Sequence, residues 1–134
     1  MRKFILSGLA LTLAFVAFAG GISTPTRVSN SAQQTNALMV SAIPCKLLTV
    51  ICFNGSNTNQ YLYVFEQTNY PPTNNEPCRI GPINVTSNTA AALSFSDYGA
   101  DMDRVIVASS LTSNTFTLAG TNCTFTAITA GQGQ

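Results

Sequence analysis

From Ala37 onward, short apolar or alternating runs recur between clusters of turn residues. This pattern predicts strands near 37–43, 46–53, 60–67, 79–86, 91–96, 104–111, 115–118 and 123–129. The breaks have a chemical cause. Asn54-Gly55-Ser56-Asn57-Thr58-Asn59 supplies residues that tolerate positive φ, and Tyr70-Pro71-Pro72-Thr73-Asn74-Asn75 removes backbone donors and fixes φ, so neither stretch continues a strand. No segment after the N-terminus sustains a 3.6-residue apolar period, and the β-branched runs Val105-Ile106-Val107 and Thr124-Phe125-Thr126 favour strands. The expected fold is therefore all-β: an antiparallel β-sandwich, Ig-like or jelly-roll-like, of about seven or eight short strands, with at most one helical turn near Asp97 to Asp103.

The N-terminus has a different pattern. Arg2-Lys3 precede the apolar run Phe4 to Ala19, which ends on the small residues Ala17-Phe18-Ala19 before Gly20-Gly21. These are the three parts of a secretory signal peptide, expected over residues 1–19. The alternative is an uncleaved anchor, but the run is shorter than the roughly 20 apolar residues a spanning helix needs. Residues 20–36 carry no apolar periodicity and read as a flexible leader, 37–130 as the sandwich, and 131–134 as a disordered tail. After signal cleavage no membrane contact is expected, and the chain is placed outside the cytosol: periplasmic, extracellular or on a surface.

At 134 residues the chain has room for one domain. With 46% hydrophobic and 8% charged residues it is too apolar and too weakly charged for disorder. Past the basic start, Arg27, Lys46, Arg79 and Arg104 face Glu66, Glu76, Asp97, Asp101 and Asp103, so the domain is close to neutral. No basic residues cluster there, which argues against nucleic acid as a partner.

Candidate chemistry is sparse. There is no His, the commonest general base and metal ligand. Lys46, the one lysine after the N-terminus, opens an apolar strand and reads as an edge charge rather than a Ser-Lys base. Glu66 with Glu76, or Asp97 with Asp103, are the available carboxylate pairs for acid and base work, though solvation is the plainer role for five acids. Asp97, Asp101 and Asp103 form the one local acid cluster and could offer oxygens to Ca²⁺, but the spacing is not that of an EF-hand, and a turn is the simpler reading. No cofactor and no enzymatic activity are expected.

Cys45, Cys52, Cys78 and Cys123 contain no C-x-x-C pair, so two disulfides fit an exported chain better than zinc. If successive strands alternate in direction, Cys45 and Cys78 fall at one end of the sandwich and Cys52 and Cys123 at the other. The expected bridges are Cys45–Cys78 and Cys52–Cys123. Tyr61, Tyr63 and Phe65 alternate with Leu62 and Val64, placing aromatics on one side of a strand and aliphatics on the other. With the aliphatics in the core, the aromatic side is either a ligand or partner surface or lies beneath a loop. Asn54-Gly-Ser56, Asn84-Val-Thr86 and Asn122-Cys-Thr124 fit the N-glycosylation sequon, a pattern that arises readily in a chain so rich in Asn and Thr.

Between about residues 46 and 128, the pattern resembles small β-sandwich proteins of tailed-phage virions and related bacterial open reading frames. It is carried by Phe53-Asn54, Gln60-Tyr-Leu-Tyr-Val-Phe65, Gly81-Pro-Ile-Asn-Val85, Leu93-Ser-Phe95 with Tyr98-Gly99, Arg104-Val-Ile-Val-Ala-Ser-Ser110, and Thr117-Leu-Ala-Gly120 followed by Phe125-Thr126. The resemblance implies a structural or decorating part without an active site. The signal-like N-terminus and the cysteines point instead to an exported bacterial or surface protein using a similar sandwich. The expected function is a non-enzymatic structural or attachment module on a virion or cell surface, with protein partners or self-association. The alternative is an exported carbohydrate- or protein-binding domain.

Overall fold

The computed structural model describes residues 26–96 and 98–131. Nine strands run in chain order: β1 Thr26–Asn30, β2 Ala37–Ser41, β3 Cys45–Asn54, β4 Gln60–Phe65, β5 Ile80–Val85, β6 Ala90–Ser94, β7 Ala100–Met102, β8 Val105–Ser110 and β9 Cys123–Gly131. They form two antiparallel sheets. One has the order β1-β9-β3-β6, with the short β7 also paired to β3; the other has the order β2-β8-β4-β5. The all-β sandwich expected from the alternating pattern is the fold found. No helix of the described residues is long and apolar enough to cross a membrane.

The core between the sheets follows from strand periodicity. Leu47, Val50 and Cys52 of β3 and Phe125 and Ala127 of β9 face Leu62 and Val64 of β4, Val105 and Val107 of β8 and Val85 of β5, all buried. Three bulges adjust this pattern. Leu47 pairs with Thr129 and Thr49 with Ile128, so Leu48 is an extra residue in β3 and the inward set shifts from Cys45 and Leu47 to Val50 and Cys52. On β5, Gly81 and Pro82 together oppose Tyr63, between the pairs Leu62–Ile83 and Val64–Ile80. Proline's missing N–H suits a bulged edge strand. Gly81 has φ of 127°, and a Cβ there would stand 2.9 Å from the Leu62 carbonyl oxygen, so glycine is required by both backbone and space. The third bulge places Val40 and Ser41 of β2 together in buried positions.

The structure corrects the sequence reading at four places. Thr26–Asn30, read as leader, pairs in register with β9 from Thr26–Ala130 to Asn30–Thr126. Residues 115–118 form no strand; they make the isolated bridge Ser110–Leu118 and pack Phe116 on the outer side of the sheet. Residues 100–102, left outside the expected strands, form β7, whose Met102 is buried. Gly131, placed in the tail, closes β9. The signal peptide, the rest of the leader and residues 132–134 lie outside the described residues.

Candidate functional site

The two outer faces of the sandwich differ. On the four-stranded sheet, Tyr63 and Phe65 of β4 point outward with Ile106 and Ala108 of β8, but Tyr63 is 3% exposed and Phe65 0%. Phe116 covers them edge-on, its ring 5.4 Å from Tyr63 and 4.7 Å from Phe65. The cover is tied down by polar bonds. Tyr63 Oη donates to the Thr112 carbonyl at 3.1 Å, Ala119 N to Ser109 O at 2.9 Å, and Asn75 N to Phe116 O at 2.8 Å. Tyr70 Oη reaches Ala37 O at 3.1 Å. The row Tyr61, Tyr63 and Phe65 is therefore no open platform. Tyr63 and Phe65 form a second core beneath loops, and Tyr61, half-buried, packs at its margin. Burial also pushes the Tyr63 phenol above its ordinary value.

The outer face of the five-stranded sheet has no such cover in the described residues. Alternation and register place Ile51 and Phe53 of β3 outward beside Thr126 and Thr124 of β9 and Ala92 and Ala90 of β6. Val28 of β1 stands against Ile128 of β9, which in turn stands against Thr49. Val28 is 63%, Ile51 38% and Phe53 41% exposed. None of these outward residues carries a charge. Lys46, past the bulge at one end of this face, is neutralised by Asp101 at 3.3 Å and donates to the Tyr98 carbonyl at 3.3 Å. Sequence reasoning missed this surface, although the run Leu47 to Phe53 shows apolar residues at both odd and even positions.

Lys46 is not on a sheet edge, since β3 has β9 on one side and β6 and β7 on the other. Its partners are Asp101 and a carbonyl, not a serine hydroxyl. The acids are also separately engaged. Glu66 pairs with Arg79 at 3.2 Å and accepts from Asp103 N at 2.5 Å. Glu76 accepts from Gln67 Nε2, from Thr73 N at 3.1 Å and Oγ1 at 2.8 Å, and from Asn69 Nδ2 at 3.3 Å. The Gln67 and Thr73 hydrogen bonds hold its carboxyl below the usual carboxylate value. Among the described residues no three His, Cys, Asp or Glu converge as metal ligands; Asp97 lies outside them, Asp101 pairs with Lys46, and Asp103 meets Glu66 through its backbone N–H.

All four cysteines are free thiols. Cys52 and Cys123, expected to form a bridge, lie on neighbouring strands facing the same core without one, Cys52 opposite Phe125 and Cys123 opposite Asn54. A polar chain continues from them. Cys123 donates to Gln60 Oε1 at 3.2 Å; Gln60 Nε2 donates to Ser56 Oγ at 3.2 Å, and Ser56 Oγ to Asn54 Oδ1 at 2.7 Å. The neighbouring Cys123 thiol and burial push the Cys52 thiol well above its ordinary range, while the Cys52 thiol lowers Cys123 against the effect of burial. The expected Cys45–Cys78 partnership fails. Counting strand directions put both at the same end, but Cys45 faces the core between the sheets and Cys78 packs on the outer aromatic cluster. Burial raises the Cys45 thiol, with a smaller opposing effect from Ser41.

Of the three sequon asparagines, Asn54 is fully buried and hydrogen-bonded, Asn122 half-buried and Asn84 exposed. A cavity of about 200 Å³ lies at the Cys45 end, walled by Arg27, Ser41, Ile43, Cys45 and Thr129 and bounded by Thr26 and Gly131, the first and last residues described. No family model, curated protein or solved structure matches the chain.

Proposed function

We propose that this protein is a non-enzymatic structural or attachment module of a virion or cell surface that makes its protein contacts through the outer face of the five-stranded sheet. The observation that carries the reading is the exposure of Val28, Ile51 and Phe53 together on a face whose centre is uncharged. Contiguous apolar surface left in water is costly, and where it occurs it marks an interaction site. The resemblance over residues 46–128 supports a virion or surface location, and the Arg2-Lys3 start with the run Phe4 to Ala19 supports export. In an oxidising compartment the neighbouring Cys52 and Cys123 become a disulfide tying β3 to β9, which suits a module exposed to mechanical and proteolytic stress. A carbohydrate-binding role loses its platform, because Tyr63 and Phe65 lie beneath their own loops.

The test is retention. Epitope-tagged wild type and Phe53→Glu are expressed in the source cells, and purified particles and envelope fractions are probed for the tag. Wild type is expected with one of these fractions and Phe53→Glu in the soluble supernatant. Equal retention of both rules out this face as the attachment surface.

A further inference from the structure

The buried thiol pair is wired to a surface loop, and we infer that the redox state of Cys52 and Cys123 sets the hydrogen bonding of the β3–β4 loop, residues 55–59, through Gln60. The two cysteines lie diagonally across β3 and β9, and both are 0% exposed. The shift each thiol imposes on the other's titration marks the two sulfurs as neighbours.

In the reduced protein the hydrogen bonds run outward from the core. Cys123 donates its thiol proton to Gln60 Oε1 at 3.2 Å, and Gln60 is 1% exposed, so water does not substitute for that donor. With Oε1 held inward, the amide presents Nε2 to Ser56 Oγ at 3.2 Å. The one hydroxyl proton of Ser56 is then free for Asn54 Oδ1 at 2.7 Å or Thr58 O at 2.8 Å. Among the described residues no buried side-chain oxygen or nitrogen lacks a partner.

Oxidation removes the first donor. Cys52 and Cys123 pass two protons and two electrons to a small-molecule disulfide, whose S–S bond breaks to give two thiols as the Sγ–Sγ bond forms. The new bridge has no hydrogen to donate, which leaves Gln60 Oε1 buried and unpaired. A half-turn of the amide restores its partner: Nε2 faces the sulfur, a weak acceptor, and Oε1 takes the Ser56 hydroxyl proton away from Asn54 and Thr58. Asn54 keeps Val85 O and Ser56 N, so the sheets stay tied while the exposed tip, Asn57 to Asn59, loosens. Since both thiols are shut in the core, the exchange takes place before the sandwich closes, and the folded protein keeps the state in which it folded.

The test compares the full chain folded from urea with dithiothreitol and with oxidised glutathione, in a Cys78→Ala background that removes the one thiol outside the core. Non-reducing peptide mapping follows the bridge, and amide hydrogen exchange read by mass spectrometry follows residues 55–59. The oxidised form is expected to carry Cys52–Cys123 and to exchange in the loop at least about five-fold faster, the effect of losing one ordinary hydrogen bond. Two variants separate the relay from the bridge itself. Cys123→Ser keeps a donor for Gln60 and should exchange like the reduced form, whereas Cys123→Ala removes the donor without making a bridge and should exchange like the oxidised form. A missing Cys52–Cys123 peptide, equal loop exchange in the two forms, or Cys123→Ala matching the reduced protein overturns the inference. If circular dichroism shows that Cys123→Ala does not fold, Gln60→Met takes its place, and loop exchange that still responds to oxidation there overturns it instead. The outer sheet face plays no part in this outcome, so equal retention of Phe53→Glu and wild type would remove the attachment reading and leave this inference standing.

Discussion

Replacing Asn54 by alanine should remove a large share of the fold's stability, although its neighbours Gly55 to Asn59 form a surface loop. Asn54 is fully buried at the end of β3. Its Nδ2 donates to Thr58 O at 2.8 Å and Val85 O at 3.0 Å, and its Oδ1 accepts from Ser56 N at 2.9 Å and Ser56 Oγ at 2.7 Å. One amide thus closes the loop between β3 and β4 and ties it to β5 in the other sheet. After truncation the Val85 carbonyl, in the buried contact, stays shielded from water and carries a desolvation cost of about 1–3 kcal/mol. The part-buried Ser56 N–H and Thr58 carbonyl regain water, so each lost bond costs about 0.5–1.5 kcal/mol. The sum is about 2–6 kcal/mol, against a total of about 5–15 kcal/mol for a natural domain. Asn54→Asp should be no better at neutral pH, because it exchanges two donors for a buried negative charge facing carbonyl oxygens. Urea unfolding followed by circular dichroism measures both variants, with Asn57→Ala in the exposed part of the same loop as a control expected within ±0.5 kcal/mol, about the usual range for surface changes. A loss under about 1 kcal/mol for Asn54→Ala with an unchanged urea slope would show that the amide is not the tie described here.

Phe116→Ala should cost about 3–5 kcal/mol by emptying the outer aromatic cluster. Since the chain has no Trp, tyrosine fluorescence reports on this directly, and acrylamide should quench the variant more than wild type; equal quenching would mean the loops cover Tyr63 without Phe116. Glu76 has a lowered folded pKa, so the stability it contributes is present above the unfolded value near 4.5 and is lost as pH falls below it. Unfolding midpoints of Glu76→Gln should accordingly fall less than those of wild type between neutral pH and pH about 3, and parallel curves would remove Glu76 as the organiser of its loop. In the reduced folded protein, a thiol reagent should modify Cys78 rapidly and Cys45, Cys52 and Cys123 only on unfolding, since Cys78 alone is not buried. Fast reaction of a second thiol would contradict the closed core at that position.

Local chemistry alone determined most of the strands. The alternation of Gln60 to Phe65 and the turn chemistry at residues 54–59 and 70–75 act over a few residues, and a strand's two faces are set by its own backbone. Cys52 and Cys123 could be brought together by counting strand directions because antiparallel neighbours alternate end for end. What only the tertiary structure decided was which faces are covered. The Tyr61 to Phe65 pattern separates aromatics from aliphatics, but the burial of Tyr63 and Phe65 depends on Phe116, some fifty residues away in sequence. Strand direction gives the end of the sandwich and not the layer, which is why Cys45 and Cys78 share an end and still face different clusters. Strand β1 has one apolar residue, Val28, and little pattern of its own; it is a strand because β9 presents an unpaired edge whose backbone groups need partners. The exposed face of β3 remained hidden for the same reason. Ile51 and Phe53 look like core residues in sequence, and only the arrangement of the sheets leaves them in water.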